Sequence, residues 1–259
     1  MVDMTAPATA GNEALEVFSS AQRRLLRKII AGLGWPVVLL LIFVGLGSLF
    51  SRVGFMTSAF SQEVADPEAV FNAFDIRYVQ HYLMVWSHLV VGFIVYAMAP
   101  FQFIPTIRKR WTKFHRWNGR VWLLCGGIAG FTGAFIGVVW PFTGHEGFGL
   151  VQTSINAIIG PYTLFCLYKA YGCVRAKEFG AHREWMVRSF ALMLGVATQR
   201  ALMLILIPAT GLGVEVMFAS MMVLGMVINI AVAEMWIQLT RTPGNGNRHW
   251  KDLDRQYAV

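Results

Sequence analysis

Six stretches of this chain, at roughly 29–51, 80–106, 119–141, 149–171, 186–209 and 214–240, could each cross ~30 Å of hydrocarbon, which takes about 20 helical residues. Each is rich in Leu, Ile, Val, Phe and Gly, and none alternates apolar with polar residues as a barrel strand does. In lipid the backbone must satisfy its own hydrogen bonds, so these stretches are helices. The sequence therefore predicts an all-α fold, a polytopic six-helix transmembrane bundle over 29–240. Residues 1–28 read as an N-terminal amphipathic segment, with 13–28 lying as a helix at the interface, and 241–259 as a polar tail. The first residues lack the apolar core of a cleavable signal. The segment 52–79, between the first two spans, mixes aromatic and acidic residues and is expected to form a short helix over that face.

Only 14% of residues are charged and 56% are hydrophobic. A soluble domain carries about a quarter charged residues, so a cytosolic globule and a disordered chain are excluded. The net charge of +8 does not signal a nucleic-acid partner, because topology accounts for it. Arg23, Arg24, Arg27 and Lys28 precede the first span. Arg108, Lys109, Arg110, Lys113, Arg116 and Arg120 lie between the second and third. Lys169, Arg175, Lys177, Arg183 and Arg188 lie around the connection between the fourth and fifth, and Arg241, Arg248, Lys251 and Arg255 follow the sixth. These are 19 of the 22 basic residues, all on one side. A multi-pass protein of the inner (cytoplasmic) membrane with both termini cytoplasmic is the expectation. Cys125, Cys166 and Cys173 have no CxxC spacing, so neither a disulfide framework nor a zinc site is suggested.

The histidines then fall at specific depths. His81 and His88 lie on the second span and His145 just before the fourth, toward the outer face. His115 and His182 open the third and fifth spans at the inner face. Imidazoles from facing helices can clamp a b-type haem edge-on in a bundle. On that reading His115 and His182 ligate an inner haem, and His88 (or His81) with His145 an outer one. His81 and His88, seven residues apart on one helix, lie about 10 Å apart along it and cannot share an iron. Interfacial histidines also serve as plain hydrogen-bonding groups, whereas His88, two turns into the hydrocarbon, is costly enough to mark a site. Arg120, Arg188 and Arg200 could hold propionates or a quinone, or reach lipid headgroups. Glu234 lies at a different depth from Arg200, so the two are not expected to pair. HRWNGR (115–120) and HREWMVR (182–188) read as two similar half-sites facing each other. Gly126/Gly130 and Gly133/Gly137 offer small faces for close helix packing or for a flat macrocycle. Met217, Met221, Met222 and Met226 read as core filler, one of them an alternative axial ligand to His145.

Three segments, SHLVVGFIVYAMAPFQF (87–103), KFHRWNGRVW (113–122) and AHREWMVRSFALMLGVATQR (181–200), carry a resemblance covering residues 84–205. The chain resembles a family of bacterial predicted membrane proteins, the domain of unknown function 2306. On that motif the matching positions are His88, His115, Arg116, Gly119, Arg120, His182, Arg183, Trp185, Met186, Arg188 and Arg200; His81 and His145 are not part of it. The arrangement is similar to the two-haem transmembrane cytochromes of the b-561 kind in span number and histidine order, not in sequence. In those proteins helices two and four hold one haem and helices three and five the other. This chain departs from that pattern, since His145 sits in the loop before its span.

The leading expectation is a membrane b-type cytochrome-like electron-transfer protein, passing electrons between a quinol or small reductant and an acceptor, alone or with a respiratory partner subunit. The alternative is a haem-free membrane module that binds a quinone, a lipid or a partner subunit through a His/Arg network. A third reading is a transporter with His81 and His145 as a Cu or Zn entry site.

Overall fold

The computed structural model describes residues 20–61, 79–139 and 149–240. Within them every element is helical, and six helices are long and apolar enough to cross a membrane. The chain is a multi-pass, all-helical membrane protein.

Helix α1, Ser20–Ser61, is continuous over 42 residues, about 60 Å at 1.5 Å per residue. From Ser20 onward, the amphipathic segment expected to lie along the interface is continuous with the helix of the first span; its earlier residues fall outside the described ones. Nothing in QRRLLRKII stops a helix: Leu, Arg, Lys and Gln all favour it and no Gly or Pro intervenes. The same helix takes in 52–61 of the segment expected to cap the opposite face.

Helix α2, Tyr82–Phe103, ends where Pro105 holds Ile104 in an extended conformation (φ −71°, ψ 116°). Pro105 then opens the short helix α3, Pro105–Arg110, at a position where its missing N–H costs nothing. After Trp111, helix α4 runs from Thr112 to Val138. It starts a full turn and more ahead of the span expected at 119, so His115 lies on its first turn rather than before it. Helix α5 is Gly149–Arg175. It closes on a Schellman pair, Glu178 N to Cys173 O (2.9 Å) and Lys177 N to Val174 O (3.2 Å), with Lys177 left-handed at φ 61°.

The fifth span is made of α6, Phe179–Met193, and α7, Gly195–Thr210, separated by Leu194. Side chains from other spans serve the carbonyls at this break. Tyr96 Oη donates to Met193 O at 2.9 Å, and Asn229 Nδ2 donates to Ala191 O at 3.0 Å. Helix α8 is Val214–Thr240. Adjacent spans pack in chain order from α2 to α6, α8 lies on α6 and α7, and α1 lies along α2 and α7.

At the centre, Tyr96, Trp122, Leu167, Phe190 and Leu194 form one buried cluster, joined by Val95, Ala99, Met186 and Ala197. Trp122 is fully buried and donates Nε1–H to Val95 O at 3.1 Å. Gly45 lets α1 approach this core: a β-carbon there would lie 2.9 Å from the Tyr96 ring. Met222 and Met226 pack with Cys166 and Leu192, while Met221 packs against Met203 and Phe218, as filler residues do.

Candidate functional site

One end of the bundle gathers the cations. It carries Arg108, Lys109 and Arg110 of α3, Lys113 and Arg116 of α4, and Arg175 at the end of α5. Arg27 of α1 donates from Nε (3.1 Å) and Nη2 (2.6 Å) to Leu239 O, and Arg183 of α6 bonds the Thr240 hydroxyl. The start of α1, the start of α6 and the end of α8 are thereby tied together at this basic end.

His115 and His182 both lie there, on the first turns of α4 and α6, within electrostatic reach of each other. His182 donates Nδ1–H to Ala170 O at 2.8 Å, which leaves Nε2 as the acceptor. His115 is different. Its Nδ1 is buried with no hydrogen-bond partner among the described residues, and so is Oδ1 of Asn118, one turn further along α4. Asn118 is fully buried and uses its other atom, Nδ2, to reach Met98 O at 3.2 Å. Gln102 of α2, also buried, donates Nε2–H to His115 O at 3.3 Å and lies across Gly119, whose β-carbon would stand 3.4 Å from its amide. His115, Asn118 and Trp122 recur at helical spacing, and Trp122 packs on Phe190 (6.4 Å between centroids), which in turn packs on Phe103 (5.0 Å).

Whether a flat macrocycle fits is tested by the glycine faces of α4. The faces of Gly126, Gly130, Gly133 and Gly137 are filled by protein. A β-carbon on Gly126 would lie 2.7 Å from Met193 Cε, on Gly130 3.2 Å from Leu164, and on Gly133 3.0 Å from His88. The bundle centre holds Trp122, Tyr96 and Phe190.

His88 lies in the other half of the bundle and contacts Thr132. The Thr132 hydroxyl lies 2.7 Å from Ile128 O and gives it its only proton, so it accepts from His88 Nδ1–H at 2.9 Å. His81 stands immediately before α2, where partial burial pushes its pKa below the usual imidazole value. His145 lies outside the described residues. His88 is therefore not brought to His115 and His182; the histidines occupy separate halves.

The two arginine half-sites are not equivalent. Arg188 is committed to Glu234, Nε to Oε1 at 2.5 Å and Nη2 to Oε2 at 3.0 Å, with Glu184 3.8 Å away and the Trp185 ring under the guanidinium at 4.7 Å. Arg120, its counterpart, is exposed and lines a cavity between α4 and α5. Arg200 stacks over Phe218 at 5.1 Å. Asn118, Gln102 and Glu184 were not singled out from the sequence. Their signal is polarity at positions within or beside long apolar runs, and only burial makes it informative.

The family described as predicted membrane protein, DUF2306, matches residues 85–237 of the chain, a stretch that holds His88, His115, Asn118, His182, Arg188 and Arg200. No curated protein and no solved structure matches it.

Proposed function

From the premise that this chain belongs to the DUF2306 family of predicted membrane proteins, we propose that it is a haem-free membrane module binding a quinol-class ligand at its basic end. That end faces the cytoplasm of the inner membrane, as the distribution of Lys and Arg predicts. The observation that carries the reading is the pair His115 Nδ1 and Asn118 Oδ1, both buried and unpartnered one helical turn apart. A buried polar atom left unpaired costs about 1–3 kcal/mol, and such atoms in folded proteins ordinarily have partners. A single hydroxyl answers both, accepting from His115 Nδ1–H and donating to Asn118 Oδ1. A phenolic ring carrying that hydroxyl would extend toward the basic end, because Trp122 and Phe190 are already packed into the core. Gln102 positions the His115 backbone, and His182 is held by Ala170 O. Oxidation of the ligand to a carbonyl removes the proton that Asn118 accepts, so the site favours the reduced form.

A second reading rests on His182. An imidazole whose Nδ1–H is fixed by a backbone carbonyl is oriented as metal-ligating histidines are, and His115 is near it. A b-type haem held at the basic end by these two residues would supply one-electron chemistry.

One preparation tests both. A short-chain benzoquinol titrated into the detergent-purified protein, followed by tryptophan fluorescence, is expected to saturate, and His115→Ala and Asn118→Ala to weaken it about tenfold each, 1.4 kcal/mol per decade. Unchanged affinity in both variants overturns the quinol site. A reduced-minus-oxidised spectrum with a sharp α-band, lost in His182→Ala, replaces it with the second reading.

A further inference from the structure

A second site lies apart from the histidines, on the outward side of α4 and α5. A cavity of about 360 Å³ opens between these helices, lined by Arg120, Leu123, Leu124, Leu167, Tyr168 and Tyr171. Leu124 (66%), Tyr168 (71%) and Tyr171 (53%) are exposed, so the trough faces whatever surrounds the bundle, and in a membrane that is lipid.

The two walls are graded in the same direction. Along α4, Lys113, Trp117, Arg120 and Leu124 recur at helical spacing, cation first and leucine deepest. Along α5, which runs the other way, Arg175, Tyr171, Tyr168 and Leu167 repeat that order from the same end. Arg120 stands about 12 Å along α4 from its start, inside the span, where a charge is costly unless its stem carries it to the headgroup level or an anion comes to it. None of the lining residues is acidic, so the trough itself offers the guanidinium no counter-charge. Tyrosines at this level are amphipathic and mark the interface.

We propose that this trough binds an anionic phospholipid of the leaflet at the basic end. Its phosphate meets Arg120 between the Tyr168 and Tyr171 hydroxyls, and an acyl chain runs along Leu123, Leu124 and Leu167. Charge selects the headgroup: Lys113 and Arg175 at the mouth attract a net negative lipid and repel the ammonium of a choline. The site does not depend on the ligand at His115.

The test uses the full chain in a neutral detergent, with dioleoyl phosphatidylglycerol and dioleoyl phosphatidylcholine added in parallel and the melting temperature followed. Phosphatidylglycerol is expected to raise it by several degrees more than phosphatidylcholine. Arg120→Gln should lose at least half of that difference, and Arg24→Gln, an exposed cation on α1, should keep it. Leu124→Trp fills the trough without touching its charge and should reduce the phosphatidylglycerol molecules retained in native mass spectrometry. Equal shifts from the two lipids, a full difference kept in Arg120→Gln, or unchanged phosphatidylglycerol retention in Leu124→Trp overturns the proposal.

Discussion

Arg188 of the fifth span and Glu234 of the sixth meet side-on, Nε to Oε1 at 2.5 Å and Nη2 to Oε2 at 3.0 Å, inside segments apolar enough to cross a membrane. The two hydrogen bonds are parallel and charge-assisted, the geometry that suits arginine. The pair fastens α6 to α8 and keeps the guanidinium over Trp185.

Removing one partner should cost more than removing both. Glu234→Ala leaves Arg188 with only the more distant Glu184 at 3.8 Å and is expected to destabilise by about 2–3 kcal/mol, below the ~3–5 kcal/mol of a fully buried pair, because the Glu234 side chain is also 38% exposed. The double change Arg188→Met with Glu234→Met should recover most of the loss. Thermal unfolding in one detergent measures the series, and a double variant worse than either single one contradicts the pairing.

The turn into α6 stores backbone strain at Lys177, whose φ of 61° is left-handed. A side chain there costs about 1–2 kcal/mol that glycine avoids. Lys177→Gly should therefore raise stability by about 1 kcal/mol, with Lys177→Ala near neutral. Since His182 N bonds Glu178 O beside this turn, quinol affinity in Lys177→Gly should be unchanged or slightly higher.

Glycine-to-alanine substitutions should sort by what each new methyl meets. At Gly160 it would lie 2.3 Å from Ala134 Cβ and 3.2 Å from its Cα, a backbone contact that cannot yield. A loss of about 1–3 kcal/mol is expected there. At Gly133 it presses on His88 Cε1 at 3.0 Å, so the loss should be smaller and should disturb the Thr132 bond. At Gly127 nothing lies within 4 Å, and helix propensity alone should stabilise by about 0.5–1 kcal/mol. A flat series in thermal unfolding is the contrary result.

The break at Leu194 makes a separate prediction. Tyr96→Phe removes the donor to Met193 O and should cost about 1 kcal/mol. Asn229→Leu removes the donor to Ala191 O and the oxygen that Thr198 Oγ1 approaches at 3.0 Å, so it should cost more. Hydrogen exchange should rise around 191–198 in both variants and stay unchanged in α4.

Span number was legible in the residues alone, because the length of apolar chain that crosses hydrocarbon needs no knowledge of neighbours. So was the gathering of cations at one end, and the placing of His115 and His182 at that end with His88 apart. The sequence also suggested two like half-sites, at Arg120 and Arg188, and gave no reason to choose between them. Tertiary structure separated them: α8 lies against α6 and brings Glu234 to Arg188, while Arg120 faces outward over the trough between α4 and α5. It likewise turned Asn118 and Gln102 from unremarked polar residues into a buried pair around His115, and cut the fifth span at Leu194 by offering Tyr96 and Asn229 to its carbonyls. The reason is physical. In a bilayer, lipid and protein interior are alike apolar, so no periodic polarity tells which face of a helix meets which neighbour. Depth is encoded along the chain; lateral pairing is decided only when the helices pack.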